Sequence, residues 1–457
     1  MAYILNDFYN NEVFPNIDYI IHVNITSERQ KEVVNLTATG SAAGGRDRRE
    51  PPCSGPRGRV STAPPMPVLF LIVFIDLVGF GLVIPLLPFY AARFGASPEE
   101  VTILLTVYSL VAMVTAPMWG RLSDRIGRRP VLIVSTLASA LAYLWLGFAG
   151  SLWVLYAARA LAGACAGNIA AAQAYIADVT TPENRARGMG MIGAAFGLGF
   201  IVGPALGGAV AGNNLATADL KTPMLIACGL SLAASIGVVT ILKESLTPEA
   251  RARQRRGRIE AIRMALGRPV LARLLLVFFL ATLAFSGMEA TFALWAMRQF
   301  SWGPAQVGYI FTYVGVLLAL MQGGGIGPLT KRFGEERLLL AGLGLIAVGL
   351  VILPGAARLP LLVVSMSLLA FGMGAMQPSL NSLISRRSGA SEQGEVLGVA
   401  QSVSALSRVI GPAIAGLLFA GISPGSPFWW GAMLVALAFA IGLGVPRLAL
   451  EPGESGQ

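Results

Sequence analysis

The sequence predicts an all-α membrane protein with twelve transmembrane helices in two six-helix bundles, and three observations support this fold class. First, 55% of the 457 residues are hydrophobic and only 13% are charged, whereas charged residues make up about a quarter of a soluble domain. Second, apolar segments long enough to cross a bilayer occur twelve times along the chain. Third, short motifs of the first six segments recur in the last six.

Each predicted span is a mainly apolar run, and about 20 such residues suffice to cross the hydrocarbon core as a helix. The first six are Met66–Tyr90, Val101–Trp119, Pro130–Ala149, Leu152–Ala177, Gly188–Ala211 and Pro223–Leu242. The last six are Leu274–Met297, Ala305–Leu329, Leu338–Leu353, Leu359–Ile384, Val396–Ala420 and Pro427–Val445.

The distribution of Lys and Arg predicts the orientation. Loops that follow even-numbered spans hold twenty of these residues, and loops that follow odd-numbered spans hold four. Because short cytoplasmic loops carry the excess of positive charge, we expect both termini in the cytoplasm and a multi-pass protein of the cell (inner) membrane.

Composition divides the chain into five predicted regions. The polar start is read as a disordered cytoplasmic tail, or as an upstream extension of a protein that begins at Met66. The basic stretch between the bundles suits a linker lying on an anionic membrane surface. The regions are 1–65 (N-terminal extension), 66–242 (first bundle), 243–273 (linker), 274–447 (second bundle) and 448–457 (cytoplasmic tail).

Several classes of partner are excluded. The net charge of +10 does not indicate nucleic acid binding, because apolar runs interrupt the basic residues everywhere. Cys53, Cys165 and Cys228 have no paired spacing, and His22 has no nearby ligand partner, so we expect neither a metal nor a cofactor. The expected partners are a small molecule, protons and the lipid bilayer, with the chain acting as a monomer.

Two motifs repeat between the halves. The loop Gly120–Arg129 reads GRLSDRIGRR, and the loop Gly327–Glu336, 207 residues later, reads GPLTKRFGEE. Span 5 carries Gly203-Pro204 and span 11 carries Gly411-Pro412, 208 residues apart. These constant offsets indicate that the two halves are duplicates.

Two six-span repeats with GRLSDRIGRR after span 2 resemble the major facilitator superfamily. The segment Asp76–Pro88 (DLVGFGLVIPLLP), the segment Leu155–Gly163 around Arg159, and Gly197–Gly208 (GLGFIVGPALGG) resemble the proton-coupled drug exporters, in particular the tetracycline-efflux type. In that family the Gly-Pro signature of span 5 is characteristic of antiporters. At a position in span 3 where the tetracycline exporters carry an acid, this chain has Ala142, which weighs against tetracycline itself as the substrate.

The loop after span 2 is predicted to act as a conformational latch, with Asp124 near a helix N-terminus and Arg128 paired with Asp178. The alternative is that its arginines only set topology. Because the second half has Lys331, Glu335 and Glu336 instead, latching is expected mainly in the first half. Matched Gly-Pro sites in spans 5 and 11 are predicted to gate, or simply to pack closely. The predicted gating residues are Gly120, Asp124, Arg125, Gly127, Arg128, Asp178, Gly199, Gly203, Pro204, Gly411 and Pro412.

Charges inside the spans are the sharper signal, since each costs roughly 2.5–3.5 kcal/mol at the bilayer centre unless it faces a cavity or a partner. Asp76 and Glu289 are candidate proton carriers, and Arg159 could hold such an acid ionised. The alternative is a set of ion pairs that only lock the bundles together. Helical spacing then predicts a substrate cavity in which Glu289 is framed by aromatic rings suited to a lipophilic cation. Its predicted lining is Gln173, Phe196, Phe200, Phe285, Phe292, Gln377, Asn381, Gln401 and Arg408.

The leading hypothesis is a proton-coupled antiporter that exports small amphipathic or lipophilic compounds by alternating access. Two alternatives remain: a proton-linked uptake symporter for a metabolite, and a non-transporting scaffold or receptor with the same fold. An enzyme is not expected, because the sequence shows no set of nucleophile and base and no phosphate-binding loop.

Overall fold

The computed structural model describes residues 66–180, 182–214, 217–246, 258–388 and 392–444. The predicted extension at 1–65 and the tail at 448–457 lie outside these ranges. Within them, twelve helices are long and apolar enough to cross a membrane, which confirms the twelve predicted spans.

In the first half, the helices begin and end within a few residues of the predicted limits. Their bounds are Met66–Val83 with Leu87–Arg93 (span 1), Pro98–Ile126 (span 2), Arg128–Gly147 (span 3), Leu152–Ala164 with Asn168–Val179 (span 4), Pro182–Ala211 (span 5) and Lys221–Ile241 (span 6).

In the second half, the helices are Pro269–Phe300 (span 7), Pro304–Leu320 with Ile326–Phe333 (span 8), Glu335–Ile352 (span 9), Leu359–Arg386 (span 10), Gln393–Gly421 (span 11) and Ser426–Leu443 (span 12). Span 7 begins at Pro269, five residues before the predicted start, because Pro is favoured in the first helical turn. A separate helix, Arg258–Gly267, occupies part of the predicted linker.

Glycines bring the spans of the first bundle into close contact. A Cβ atom added at Gly203 of span 5 would lie 2.6 Å from the backbone of Gly81 and Leu82 in span 1, and one added at Gly199 would lie 2.9 Å from the Leu77 Cβ. The regular glycines of span 5 therefore let two helix backbones approach directly, as small-residue faces do in membranes.

The two bundles meet along spans 5 and 8 and along spans 2 and 11. Thr312 of span 8 donates to the carbonyl of Ile201 at 3.3 Å, and Thr106 of span 2 donates to the carbonyl of Val409 at 3.4 Å. Gly208 packs on Ala305, where an added Cβ would be 3.0 Å from the Ala305 Cα. These contacts lie in the half of the molecule away from the loops rich in Lys and Arg.

The face that carries those basic loops is called here the basic face. Near it, a Cβ added at most glycines of spans 2, 5, 8 and 11 would meet no atom within 4 Å. These glycines are Gly120, Gly190, Gly193, Gly197, Gly323, Gly324, Gly327, Gly394 and Gly398. The hydrogen bonds between the bundles given above lie instead towards the opposite face.

The packing of spans 1 and 5 predicts that Gly203→Ala destabilises the fold, because the new methyl group would meet backbone rather than a flexible side chain. Overpacking of this kind costs about 1–3 kcal/mol. The matched control is Gly229→Ala in span 6, where nothing lies within 4 Å and where alanine favours the helix. Thermal unfolding in detergent should show a lower midpoint for Gly203→Ala alone, and equal midpoints for the two variants would contradict this packing.

Candidate functional site

Asp76 of span 1 is buried, with 7% of its surface exposed, and both of its carboxylate oxygens accept hydrogen bonds from neutral side chains. Ser231 of span 6 donates to Oδ1 at 3.1 Å, and the Asn168 amide of span 4 donates to Oδ2. The sequence reading did not single out either donor, although each is a polar residue in an otherwise apolar span. Asp76 therefore lies where three spans of the first bundle meet.

Asn168 stands at a break in span 4. The first half-helix, Leu152–Ala164, is called here 4a, and the second, Asn168–Val179, is called 4b. The break interrupts the regular helical hydrogen bonding, and span 2 supplies donors to two carbonyl groups there. Trp119 Nε1 donates to that of Ala164 at 2.6 Å, and Thr115 Oγ1 donates at 3.2 Å to that of Gly163, which also accepts from the Ala166 N–H. Since the membrane interior offers no water for such groups, the break is a stabilised element of the fold.

A small cavity of about 20 Å³ adjoins Asp76. Its lining includes Asn168 of half-helix 4b, the rings of Tyr108 and Tyr143, and Ser139 of span 3. A volume of this size and polarity can hold about one water molecule. The cavity therefore provides a place from which a proton can reach the carboxylate.

Among the described residues, Arg159 forms an ion pair with neither Asp76 nor Glu289, although the sequence suggested that it could hold such an acid ionised. It is 2% exposed, and its guanidinium carbon lies 4.2 Å from the centre of the Tyr108 ring. Within the described part of the chain, its Nε has no hydrogen-bond partner. The neutral donors on Asp76 occupy the place expected for the cation, and a desolvated cation–π contact of about 2 kcal/mol stabilises Arg159 instead.

Glu289 and Arg408 form a loose ion pair across the second bundle, with 3.9 Å between Oε2 and Nη1. The Arg408 side chain is 51% exposed, whereas that of Glu289 is 16% exposed. Ser286 and Ser407 join the same two spans, since Ser286 donates to the Ser407 carbonyl at 3.1 Å. In this ion pair, the guanidinium group of Arg408 is therefore more exposed than the carboxylate of Glu289.

The remaining predicted lining residues separate into two groups. Phe292 is fully buried and packs in the core against Phe311 and Trp295, so the structure does not bring it to an open cavity as the helical spacing suggested. Phe200 contacts the ring of Phe80, and the sequence patterns did not identify Phe80 as a neighbour. The partly or fully exposed members are Gln173, Phe196, Phe200, Phe285, Gln377, Asn381, Gln401 and Arg408.

The motif Gly120–Arg129, predicted as a loop, is helical except at Gly127, because span 2 continues to Ile126 and span 3 begins at Arg128. Its Arg128 pairs with Asp178 of half-helix 4b, as the sequence suggested. The Nε atom of Arg128 lies 3.0 Å from Oδ2 of Asp178, and its Nη1 lies 2.5 Å from Oδ1 of Asp124. Arg128 is only 3% exposed. Asp124, Arg128 and Asp178 are called here the latch, and they join spans 2, 3 and 4 at the basic face.

Glu244, which follows span 6, caps span 3 and was not found from the sequence. Its carboxylate accepts hydrogen bonds from the backbone N–H groups of Arg128 at 2.8 Å and Arg129 at 3.1 Å. The first N–H groups of a helix have no partners within that helix, and the helix dipole favours an anion there. The chain that leaves span 6 is therefore anchored beside the latch.

The equivalent motif of the second half carries ion pairs of opposite polarity, so ion pairs between spans at the basic face occur in both halves. Glu335 occupies the position that Arg128 has in the first half, 207 residues earlier. It accepts a hydrogen bond from Ser382 at 2.7 Å and lies 3.7 Å from Arg386 at the end of span 10. Glu336 lies 3.5 Å from Arg387. In this half the acids begin span 9 and the cations end the span that follows it, span 10.

Twelve spans in two similar bundles, with the charged residues Asp76 and Arg159 buried inside them, are the architecture of a membrane transport protein. The sequence model of the Major Facilitator Superfamily matches residues 69–322 and 290–456. This chain belongs to that superfamily.

Individual relatives agree with this assignment. The chain is 35% identical to the class C tetracycline resistance protein of Escherichia coli over 76% of this chain and 88% of that protein. It is 29% identical to multidrug resistance protein 2 of Bacillus subtilis (strain 168), over 77% and 86% of the two chains. The crystal structure of the human organic anion transporter MFSD10 superposes with a TM-score of 0.65 at 26% identity, over 82% of this chain and 98% of that one.

The cap on span 3 predicts unequal effects at two equivalent glycines. Gly127 and Gly334 both have positive φ, +114° and +80°, so alanine strains the backbone at either position by roughly 1–3 kcal/mol. At Gly127 the new methyl group would also displace the Glu244 carboxylate, whereas at Gly334 it would meet nothing within 4 Å.

Hydrogen exchange should therefore increase at the start of span 3 in Gly127→Ala, beyond the increase at the start of span 9 in Gly334→Ala. Equal increases in the two variants would show that Glu244 contributes nothing to the end of span 3.

Proposed function

We propose that this protein is a proton-coupled antiporter that exports small amphipathic or lipophilic compounds by alternating access, acting as a monomer. The observation that carries the proposal is Asp76, a buried carboxylate that has neutral donors rather than a cation for partners and lies beside a water-sized cavity. A group in this setting can exist with or without its proton, because no fixed cation holds it ionised.

The sidedness of the molecule supports export. With the excess of Lys and Arg on the cytoplasmic side, the basic face is cytoplasmic, and both termini are too. The glycines of spans 2, 5, 8 and 11 that have open space around them then lie on the cytoplasmic side, which is where an exporter of the cell (inner) membrane takes up its substrate. Closure at the opposite face, through spans 5 and 8, keeps the site sealed from outside.

Antiport follows if substrate and proton stabilise different protonation states of the same site. A compound that binds the ionised form of Asp76 or Glu289 releases a proton, and a proton that returns from outside expels the compound. Glu289 is the second candidate carrier, because its contact with Arg408 is long, 3.9 Å, and the Arg408 side chain is 51% exposed. Arg159 packs on the ring of Tyr108, which lines the cavity beside Asp76.

The names of the relatives support the substrate class but not a particular compound. One is a tetracycline resistance protein and one a multidrug resistance protein. Ala142 argues against tetracycline for this chain, because it stands where the tetracycline exporters that the chain resembles carry an acid. A panel of dyes and antibiotics, tested on an efflux-deficient host that expresses the chain, would identify the compounds exported.

The proposal predicts that vesicles with an acidic interior, prepared with the basic face outward, lose protons when a substrate from that panel is added. Asp76→Asn or Glu289→Gln should reduce this proton flux by at least about tenfold, because neither amide can carry a proton across. Glu99→Gln, at the start of span 2, is the matched control and should behave as the unaltered protein does.

Normal proton exchange in both variants would refute the assignment of the carriers. Accumulation of the same compounds in intact cells, in place of extrusion, would instead favour the uptake symporter.

A further inference from the structure

Half-helix 4b is attached at each end to a different charged site. Asn168 is its first residue and donates to Asp76. Asp178, near its other end, binds Arg128 of the latch at 3.0 Å. Ten residues separate the two, which corresponds to about 15 Å of helix.

The orientation of the Asn168 amide is fixed by its own helix. Its Oδ1 accepts a hydrogen bond from the Ile169 N–H at 2.9 Å, so the NH₂ group must face Asp76. An NH₂ group can only donate. Its bond to an ionised carboxylate is charge-assisted and about twice as strong as the bond to a protonated one. The attachment of 4b to span 1 therefore depends on whether Asp76 carries a proton.

Because of the break, half-helix 4b can shift without an equal shift of half-helix 4a. Span 2 fixes the end of 4a through the bonds from Thr115 and Trp119. Gly167, in the break, packs directly against the Trp119 side chain, since an added Cβ would be 2.7 Å from the indole ring. The segment Cys165–Gly167 thus joins one half-helix held by span 2 to another held by Asp76 and the latch.

The residues of half-helix 4b are closely packed, and we expect the half-helix to stay rigid along its length. Ala171, Tyr175 and Ile176 on its inner face are each at most 2% exposed and belong to a single apolar cluster with residues of spans 1, 3, 5 and 6. A displacement at Asn168 therefore reaches Asp178 without being lost within the helix.

We propose that Asn168 is a positioning residue that transmits the protonation state of Asp76 through half-helix 4b to the latch. This inference rests on the proposed function, because it takes Asp76 as the proton carrier. Protonation weakens the Asn168 attachment, and 4b then holds Asp178 less firmly against Arg128. Release of the latch thus follows protonation at a site about 15 Å away.

Other groups around Asp76 also lie on spans that reach the latch. Ser231 approaches from span 6, which continues to Glu244 and Ser245, and Ser245 donates to Asp178 at 3.2 Å. The Tyr108 and Tyr143 phenols face the same cavity from spans 2 and 3, which carry Asp124 and Arg128. Arg159 lies on the Tyr108 ring. Among these groups, Asn168 combines a hydrogen bond to Asp76 with a place at the start of the half-helix that carries Asp178.

A double-mutant cycle tests the inference in the full-length protein in lipid nanodiscs. Hydrogen exchange of residues 120–129 reports on the latch, and Asp76→Asn mimics the protonated acid without a change of pH. We expect exchange there to rise roughly two- to tenfold in Asp76→Asn and in Asn168→Ala, the range for loss of one hydrogen bond. In the double variant we expect no further rise, because both changes break the same connection.

The matched control is Ser231→Ala, which removes the other donor to Asp76 but leaves 4b attached. On that background, Asp76→Asn should still raise exchange in the latch. If Asn168→Ala does not fold, Asn168→Gln replaces it, since the longer side chain keeps the amide but displaces it.

The inference is overturned if Asp76→Asn raises exchange in the latch as much on the Asn168 variant background as on the unaltered one. A purely structural role of Asn168 would give this additive result. Failure of the proposed function is seen separately, as an absence of substrate-dependent proton flux in the unaltered protein.

Discussion

The structure depends on how one carboxylate is accommodated inside the membrane. An ionised acid in this environment needs partners, and Asp76 receives neutral ones from spans 4 and 6 rather than a cation. That arrangement requires Asn168 to reach span 1, which it does from the first turn of a half-helix. The break in span 4 in turn requires donors for its exposed carbonyl groups, and span 2 supplies them through Thr115 and Trp119. The first bundle is therefore built around Asp76.

The two halves share a backbone framework and differ in its chemistry. Positive-φ glycines occupy equivalent positions before spans 3 and 9, yet Arg128 begins one helix and Glu335 begins the other. Each finds a counter-charge at the end of the span that follows it, so an ion pair is kept while its polarity is reversed. The two bundles therefore have similar scaffolds with unlike charges at the basic face.

Sequence patterns were sufficient for the fold and for part of the site. Segment length and apolar content predicted all twelve spans, and the repeated motif located Arg128, for which Asp178 in span 4 was the suggested partner. The same patterns could not find Asn168, Ser231, Tyr108 or Glu244 as partners. Helical periodicity indicates which residues share a face but not which neighbouring helix that face meets or at what depth. Arg159 shows the difference, because its charge suggested a carboxylate partner and packing gave it the Tyr108 ring. Phe292 shares a helical stripe with Glu289 yet is buried in the core.

The central claim is that Asp76 gains and loses the transported proton. Infrared difference spectroscopy of the purified protein in lipid tests it most directly, because a protonated carboxyl group has a carbonyl band that an ionised one lacks. Addition of an exported compound should reduce that band in the unaltered protein, and the change should be absent in Asp76→Asn. An unchanged difference band in Asp76→Asn would contradict the account, since the proton released would then come from another group.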